Sequence, residues 1–323
     1  MNRLDASQHP GGERSRRDFF KAAGTLSAAL TAIPLAGAPA GTEAPKVPQI
    51  KIGEHSISRV ICGSNPFLGL SHLSRMIDVE LRRYYTPEQI VKTLQHCQEV
   101  GINTWAAGNF SARYVHEHLP MPFFCNVSGD RGIQPIDEFK KMGLIGVNHH
   151  GGPTDGAYRR GALSEVKEFC KKVRDKGVLV GVCSHMPWVL EQIESEGWDV
   201  DHFMCCVYQW GRNRAELDKV FDHDNMPTEG TIVAQNAEVF VESDPPKMFK
   251  FIKQSKKPCL AYKILAAGRK CERPPMIEAA FKTAFENIKP TDAVVVGMYD
   301  HLFDHPTENA EFARRFGSPQ TQA

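Results

Sequence analysis

The sequence predicts an α/β fold, a (β/α)8 TIM barrel, on three observations. Eight short apolar runs alternate with longer amphipathic ones, the longer runs carry helix start and stop signals, and the chain is long enough to close the strands on themselves. The strand-like runs are 59–62, 102–105, 123–127, 144–148, 178–183, 203–207, 259–265 and 293–296. Buried strands joined through helices pair in parallel, and at this length closure is favoured over an open doubly wound sheet.

The helices between them are read from their ends. Thr86-Pro87-Glu88-Gln89 sets a capping Thr before a Pro at the first helical position, and the Gln three residues on completes a capping box. Ile90, Leu94, Cys97 and Val100 then repeat at helical spacing until Gly101. Segment 164–175 behaves alike, with Val166, Phe169, Cys170 and Val173 on one face and Gly177 as the stop. Segments 187–196, 245–254, 274–287 and 307–316 complete the helical set. Two long connections interrupt the rhythm: 63–85, and 211–244 with its own apolar run at 232–241. Loops that follow barrel strands form the active face, so the first is expected to be a lid or pocket wall, the alternative being a surface elaboration without a role.

The ends of the chain read differently from its middle. Ser15-Arg16-Arg17-Asp18-Phe19-Phe20-Lys21 precedes an uncharged, mildly apolar run from Ala22 to Leu35, and Ala38-Pro39-Ala40 follows as a small-x-small site. This is the order of a twin-arginine leader, too short to span a bilayer. The predicted division is residues 1–40 as leader, 41–49 as a Pro-rich linker, 50–317 as the barrel and 318–323 as a disordered tail. The expectation is a periplasmic or secreted bacterial protein whose partners are a small-molecule substrate and, during export, the twin-arginine translocase. With 39 basic and 38 acidic residues and no basic block after the leader, nucleic acid and stable membrane association are excluded as expectations. The nine cysteines include no C-x-x-C, and Cys62, Cys125, Cys183, Cys205 and Cys259 lie in apolar strands, so they read as buried free thiols. Adjacent Cys205 and Cys206 must point to opposite faces of their strand.

Several short motifs, in order along the mature chain, resemble the aldo/keto reductase superfamily. Residues 51–60, Lys-Ile-Gly-Glu-His-Ser-Ile-Ser-Arg-Val, are similar to the N-terminal hairpin that plugs the base of those barrels. Gly101-Ile102-Asn103-Thr104-Trp105, Gly181-Val182-Cys183-Ser184-His185, Tyr208-Gln209, and Val296-Gly297 with Glu308-Asn309 resemble its second, fifth, sixth and last strand elements. The resemblance implies carbonyl reduction with NADPH by a Tyr proton donor tuned by Lys and Asp. Here Ala106 stands at the Asp position, Phe110 or Ser111 at the Tyr and Asn126 at the Lys, although Tyr114 lies a few residues beyond. The pocket His is matched by His150 or His149. If the cofactor were retained, Ser184, Gly297 and Asn309 are the residues the resemblance assigns to it. Yet no Lys or Arg lies between Gly297 and Asn309 to hold a 2′-phosphate, and Asp300 would repel one, so NADP(H) is doubtful.

The residues at the C-terminal ends of the strands converge on one mouth in such a barrel. They include Asn65, Asn109, Asn126, His149, His150, His185, Gln209 and Lys263. His149, His150 and His185 could ligate a divalent metal, with Asp155 on the fourth loop as a further donor, or could be hydrogen-bonded polar side chains of the pocket. Loop histidines His72, His116 and His118 could join them through the loops, the alternative being exposed bystanders. Lys263 follows an apolar strand, where burial would make it a base or an imine-forming nucleophile; a surface lysine ending a strand is the alternative. Asn65, Asn109, Asn126 and Gln209 suit neutral hydroxylated ligands, and Trp105, Trp188 and Trp210 could stack on sugar faces or pack the barrel. His149-His150-Gly151-Gly152 reads as a turn bringing backbone to the ligand. The chosen catalytic candidates are His150, His149, Lys263 and His185. Three functions stay open: a non-redox lyase, isomerase or hydrolase acting on a small sugar or polyhydroxy carbonyl compound; an oxidoreductase with tightly bound NADP(H) loaded before export; and a catalytically dead small-ligand-binding protein.

Overall fold

The computed structural model describes residues 46–217, 219 and 238–318. The predicted leader, most of the run at 232–241 and all but the first residue of the tail lie outside them.

A two-stranded hairpin comes first, β1 (Gln49–Ile52) and β2 (His55–Ser58), turned at Gly53 with φ +58°. Eight strands follow: β3 (Val60–Gly63), β4 (Trp105–Ala106), β5 (Phe123–Val127), β6 (Leu144–His149), β7 (Leu179–Ser184), β8 (His202–Cys206), β9 (Cys259–Tyr262) and β10 (Ala293–Gly297). All eight pair in parallel and close into a barrel, β10 bonding to β3 through Val294–Val60 to Gly297–Gly63. The flanking helices are α1 (Arg75–Tyr84), α2 (Pro87–Glu99), α3 (Arg113–His118), α4 (Ile136–Lys140), α5 (Gly151–Arg159), α6 (Leu163–Arg174), α7 (Pro187–Ser195), α8 (Arg214–Leu217), α9 (Asp244–Gln254), α10 (Pro274–Asn287) and α11 (His305–Gly317).

Alternation along each strand sorts its side chains into two cores. Inward-facing Ile61, Ala106, Phe124, Leu179, Met204, Leu260 and Val295 pack with Ile50, Ile52 and Ile57 of the hairpin, which therefore plugs the N-terminal end of the barrel. Outward-facing Val60, Phe123, Val147, Val180, Val182, Phe203, Ala261 and Val294 meet the helices. Arg59 ties the base together: its buried guanidinium donates to the carbonyls of Asp292, Gly317 and Lys289, and burial lowers its pKa to about 10 despite Asp292 nearby. Among the described residues no helix is long and apolar enough to cross a membrane.

Local chemistry explains where the predicted bounds shift. Thr86 caps α2 by accepting from the Gln89 backbone, but the Gln89 amide reaches the Tyr84 hydroxyl instead of closing the box. The run at 259–265 ends as a strand at Tyr262 because Lys263 takes a left-handed backbone, φ +61°. In the run at 102–105 only Trp105 belongs to the strand, which continues to Ala106. The predicted turn at 149–152 is a correction: it opens helix α5, with His150 as its N-cap. Gly151, Gly152, Pro153 and Gly156 hide that helix in the sequence, being poor helix formers. Gly151 is required there, since a Cβ would lie 2.8 Å from His185 Cε1 and 2.9 Å from Cys183 Sγ. The linker also ends earlier than expected, because Val47 is buried and Gln49 is already paired with Ser58.

Candidate active site at the barrel mouth

Several inward side chains above the middle of the barrel are polar, interspersed with Met204 and Cys183. Deepest is a relay on three strands: His202 Nε2 lies 2.6 Å from Asn148 Oδ1, and Asn148 Nδ2 donates to Asn126 Oδ1 at 2.8 Å. Burial lowers the His202 pKa to about 4, so the ring is neutral, and with its proton on Nε2 it fixes both amides. Asn126 thus turns its NH2 group away from Asn148, available as a donor. Gly181 leaves room for the relay, since a Cβ there would sit 1.9 Å from Asn148 Oδ1.

Above the relay stand His150 and His185. His185, at the end of β7, hydrogen-bonds through Nδ1 to Asp155 Oδ2 at 2.7 Å, and its backbone N–H also reaches that carboxylate. Ser184 Oγ donates to Asp155 Oδ1 at 2.6 Å and is itself held by the Met186 N–H. Asp155 is buried and lies on α5, one turn after the glycines that let the helix approach the strand. This geometry puts the proton of His185 on Nδ1 and leaves Nε2 a lone pair with no hydrogen bond to a described residue. His150 is its complement: Nδ1 accepts from the Gly152 N–H at 3.3 Å, so in the neutral ring the proton sits on Nε2. Partial desolvation by the walls of the mouth, with His185 and Lys263 nearby, holds its imidazole below the ordinary range and therefore neutral at pH 7. The mouth thus pairs a proton acceptor with a proton donor.

The opposite wall is formed by Lys263, Trp210, Tyr262 and Phe240. Trp210 packs 5.2 Å from the His185 ring, and Lys263 Nζ lies 6.0 Å from the Trp210 ring and 5.6 Å from that of Phe240. Tyr262 Oη and Cys183 Sγ are 3.2 Å apart beneath it; burial raises both pKa values, and that of the adjacent Cys206 to about 12, so these thiols stay protonated. The two long connections meet over this wall. Asn65 Nδ2 contacts His72 Nε2 at 3.0 Å, His72 Nδ1 contacts Glu238 Oε1 at 2.5 Å, and Glu238 Oε2 faces Lys263 Nζ at 4.0 Å. Burial works against the charge of Glu238, but the His72 hydrogen bond and Lys263 outweigh it and hold the carboxyl below its ordinary value.

Of the residues read from sequence, the structure brings His150, His185, Lys263 and Trp210 to the mouth, with Asn126 below and Asn65 reaching it through His72. Others are corrections. His149 ends β6 facing outward, with Nδ1 on Thr154 Oγ1 at 2.7 Å and its ring against Phe169; it lines a cavity of about 300 Å³ outside the barrel. It cannot join His150 and His185 as a metal ligand, and no group of three potential ligands occurs among the described residues. Trp105 is an outward core residue packed on Phe67, His116 and Phe123, not a stacking platform. Asn109 caps its own loop by accepting from the Ser111 N–H. Gln209 contacts Glu216 and Arg212 beside the buried Arg212–Asp244 pair. His116 is core and His118 is exposed on α3. Sequence reasoning missed Glu238, which lies inside an apolar run, and gave Asp155 a metal role; its spacing from His185 holds no signal, because only the barrel brings them together.

The nicotinamide assignment does not fit these residues. Ser184 is committed to Asp155 and the backbone of Met186. Where a cofactor phosphate would need cations, Asp300 accepts from the hydroxyls of Tyr84 and Tyr85, within an aromatic group completed by Tyr299 and His301. Asn309 is buried on α11, and a Cβ on Gly297 would meet Pro66.

No protein-family model matches the sequence, and no curated protein matches it. Solved structures match over most of the chain. A truncated 3-deoxy-D-arabino-heptulosonate 7-phosphate synthase from Thermotoga maritima is 12% identical, covering 84% of this chain and 91% of that one, with a TM-score of 0.47. The glycerol dehydrogenase AKR11B4 from Gluconobacter oxydans is 11% identical over 85% of this chain and 98% of its own, at 0.45. An N-acetylneuraminic acid synthetase from Leptospira borgpetersenii is 8% identical over 87% and 94%, at 0.42. At such identities and scores the likeness bears on neither activity nor substrate.

Proposed function

We propose that this chain is an exported, divergent aldo/keto reductase-like barrel enzyme of non-redox chemistry, a lyase or isomerase that moves a proton on a small polyhydroxy carbonyl compound. The observation that carries the reading is the pair of histidines held in opposite senses, His185 Nδ1 against the Asp155 carboxylate and His150 Nδ1 against the Gly152 N–H, which implies opposite tautomers. His185 Nε2, oriented by Asp155, is the base that takes a proton from the carbon next to a carbonyl. His150 Nε2–H is the acid that supplies one to the oxygen. Proton transfer by a positioned side chain contributes typically about 10²–10⁴-fold. Asn126 offers N–H donors to ligand oxygens, Trp210 an apolar face, and Lys263 an amine beside the carbonyl group. The leader-like order of residues 1–40 supports export to the periplasm or out of the cell.

The test is proton exchange. Purified protein in deuterium oxide is incubated with a panel of trioses, pentoses and hexoses and their keto forms, and NMR follows loss of the C–H signal next to the carbonyl. The expected outcome is catalysed exchange on part of the panel that disappears in His185→Gln. Absence of exchange from every compound, with protein that melts cooperatively, would overturn the reading. A nicotinamide absorbance in the purified protein would favour hydride transfer instead.

A further inference from the structure

We propose that Lys263 is the covalent centre of this mouth, its amine condensing with the carbonyl carbon of an open-chain polyhydroxy aldehyde or ketone to form an imine. The proposal rests on the proton-transfer reading and adds a nucleophile to it.

A lysine that merely ended a strand would carry its ammonium into water. This side chain is 9% exposed, lies between the Trp210 and Phe240 rings, and leaves Nζ without a hydrogen-bond partner among the described residues. Facing it, Glu238 Oε2 is also buried and also without one. Their separation of 4.0 Å is too long for a hydrogen bond. Two opposed groups, each one bond short in a water-poor wall, form an arrangement that a ligand oxygen set between them would complete.

The backbone is built to keep the amine there. Lys263, Ala266 and Ala267 all adopt left-handed conformations, with φ of 61°, 49° and 51°. Such residues cost of order 1 kcal/mol each and persist where the surroundings impose them. The partner is fixed as well, since Glu238 Oε1 is held by His72, which is held by Asn65.

The step balances without any redox partner. The ammonium releases a proton to solvent, and the freed amine attacks the carbonyl carbon to give a carbinolamine. Its hydroxyl receives a proton from His150 Nε2–H and leaves as water, so that ammonium and carbonyl become an iminium and one water molecule. The iminium draws electrons from the neighbouring carbon, whose proton passes to His185 Nε2. Hydrolysis of the imine later restores the lysine.

Trapping tests this directly. The full chain is incubated with equimolar glycolaldehyde, glyceraldehyde or dihydroxyacetone and sodium cyanoborohydride, which reduces iminium ions, and adducts are located by peptide mass spectrometry. The expected result is a dominant adduct at Lys263, formed at least about tenfold faster than at any other lysine, equivalent to about 1.4 kcal/mol of barrier, and absent in Lys263→Arg. His185→Gln, which stops exchange, is expected to leave trapping intact. Labelling spread over exposed lysines in proportion to their exposure would overturn the proposal. Catalysed exchange with no Lys263 adduct would overturn it too while leaving the proton-transfer reading standing; an adduct without exchange supports the lysine and removes that reading.

Discussion

Replacing Asp155 by Asn tests the arrangement with the smallest change of shape. The carboxylate receives His185 Nδ1–H at 2.7 Å and Ser184 Oγ–H at 2.6 Å, with the His185 backbone N–H at 3.3 Å. The amide of Asn keeps one oxygen for Ser184 and the backbone but must set its NH2 group against His185 Nδ1. Two donors cannot share a bond, so the imidazole moves its proton to Nε2 and loses the lone pair facing the mouth. Exchanging a charge-assisted hydrogen bond for neutral ones costs about 1–2 kcal/mol of stability. In a domain of this size that lowers the melting temperature by only a few degrees, about 2–4 °C per kcal/mol. The loss of a positioned base costs far more, about 10²–10⁴-fold in the exchange rate. Three measurements are read together: proton exchange, thermal melting and cyanoborohydride trapping at Lys263. The expected pattern is a collapse of exchange, a small shift in melting and unchanged trapping, which a merely structural Asp155 would not give. Exchange at the parental rate in a folded Asp155→Asn protein would refute the assignment of His185 as the base.

Other outcomes follow from the same structure. His116 stacks on Phe123 at 3.8 Å with neither ring nitrogen hydrogen-bonded to a described residue, and burial lowers its pKa to about 4, so His116→Phe is expected to stabilise the fold by about 1–3 kcal/mol in chemical denaturation. His116, His149 and His202 all have folded pKa values near 4 against 6.5 for the free ring, so their stability is complete above pH 6.5 and is lost as pH falls toward 4, because the unfolded chain binds protons the folded one refuses. Each accounts for about 3 kcal/mol, and His116→Phe should make melting temperature measurably less steep across that window. Gly181→Ala drives a methyl into Asn148 and His202, and loss of soluble folded protein or at least about 3 kcal/mol of stability is expected. Titration of the native chain with a thiol reagent should find one fast-reacting cysteine, the exposed Cys271, with the buried eight reacting only after denaturation.

Much of the barrel was legible because its signals are local. Strands buried on both faces read as continuous apolar runs, and Gly or Pro punctuates each helix, so all eight strands are found near their predicted places. The opposite faces of Cys205 and Cys206 follow from the period of a strand: Cys206 lies near Lys263 and Tyr262, and Cys205 near Cys259. Helix α5 was not legible, because Gly151 answers to His185 and Cys183, residues more than thirty positions away that no local propensity can register.

The sequence by itself determined the fold class and the list of polar residues that end the strands. Which of those residues share a mouth was decided only by tertiary structure. One residue of register separates His149, turned outward onto Phe169, from His150, open to the mouth. Asp155 reaches His185, and Glu238 reaches Lys263, across connections whose paths are set by barrel closure. Hydrophobic pattern is written along the chain, whereas the pairing of charges and protons depends on distances of a few ångströms that only the closed barrel sets.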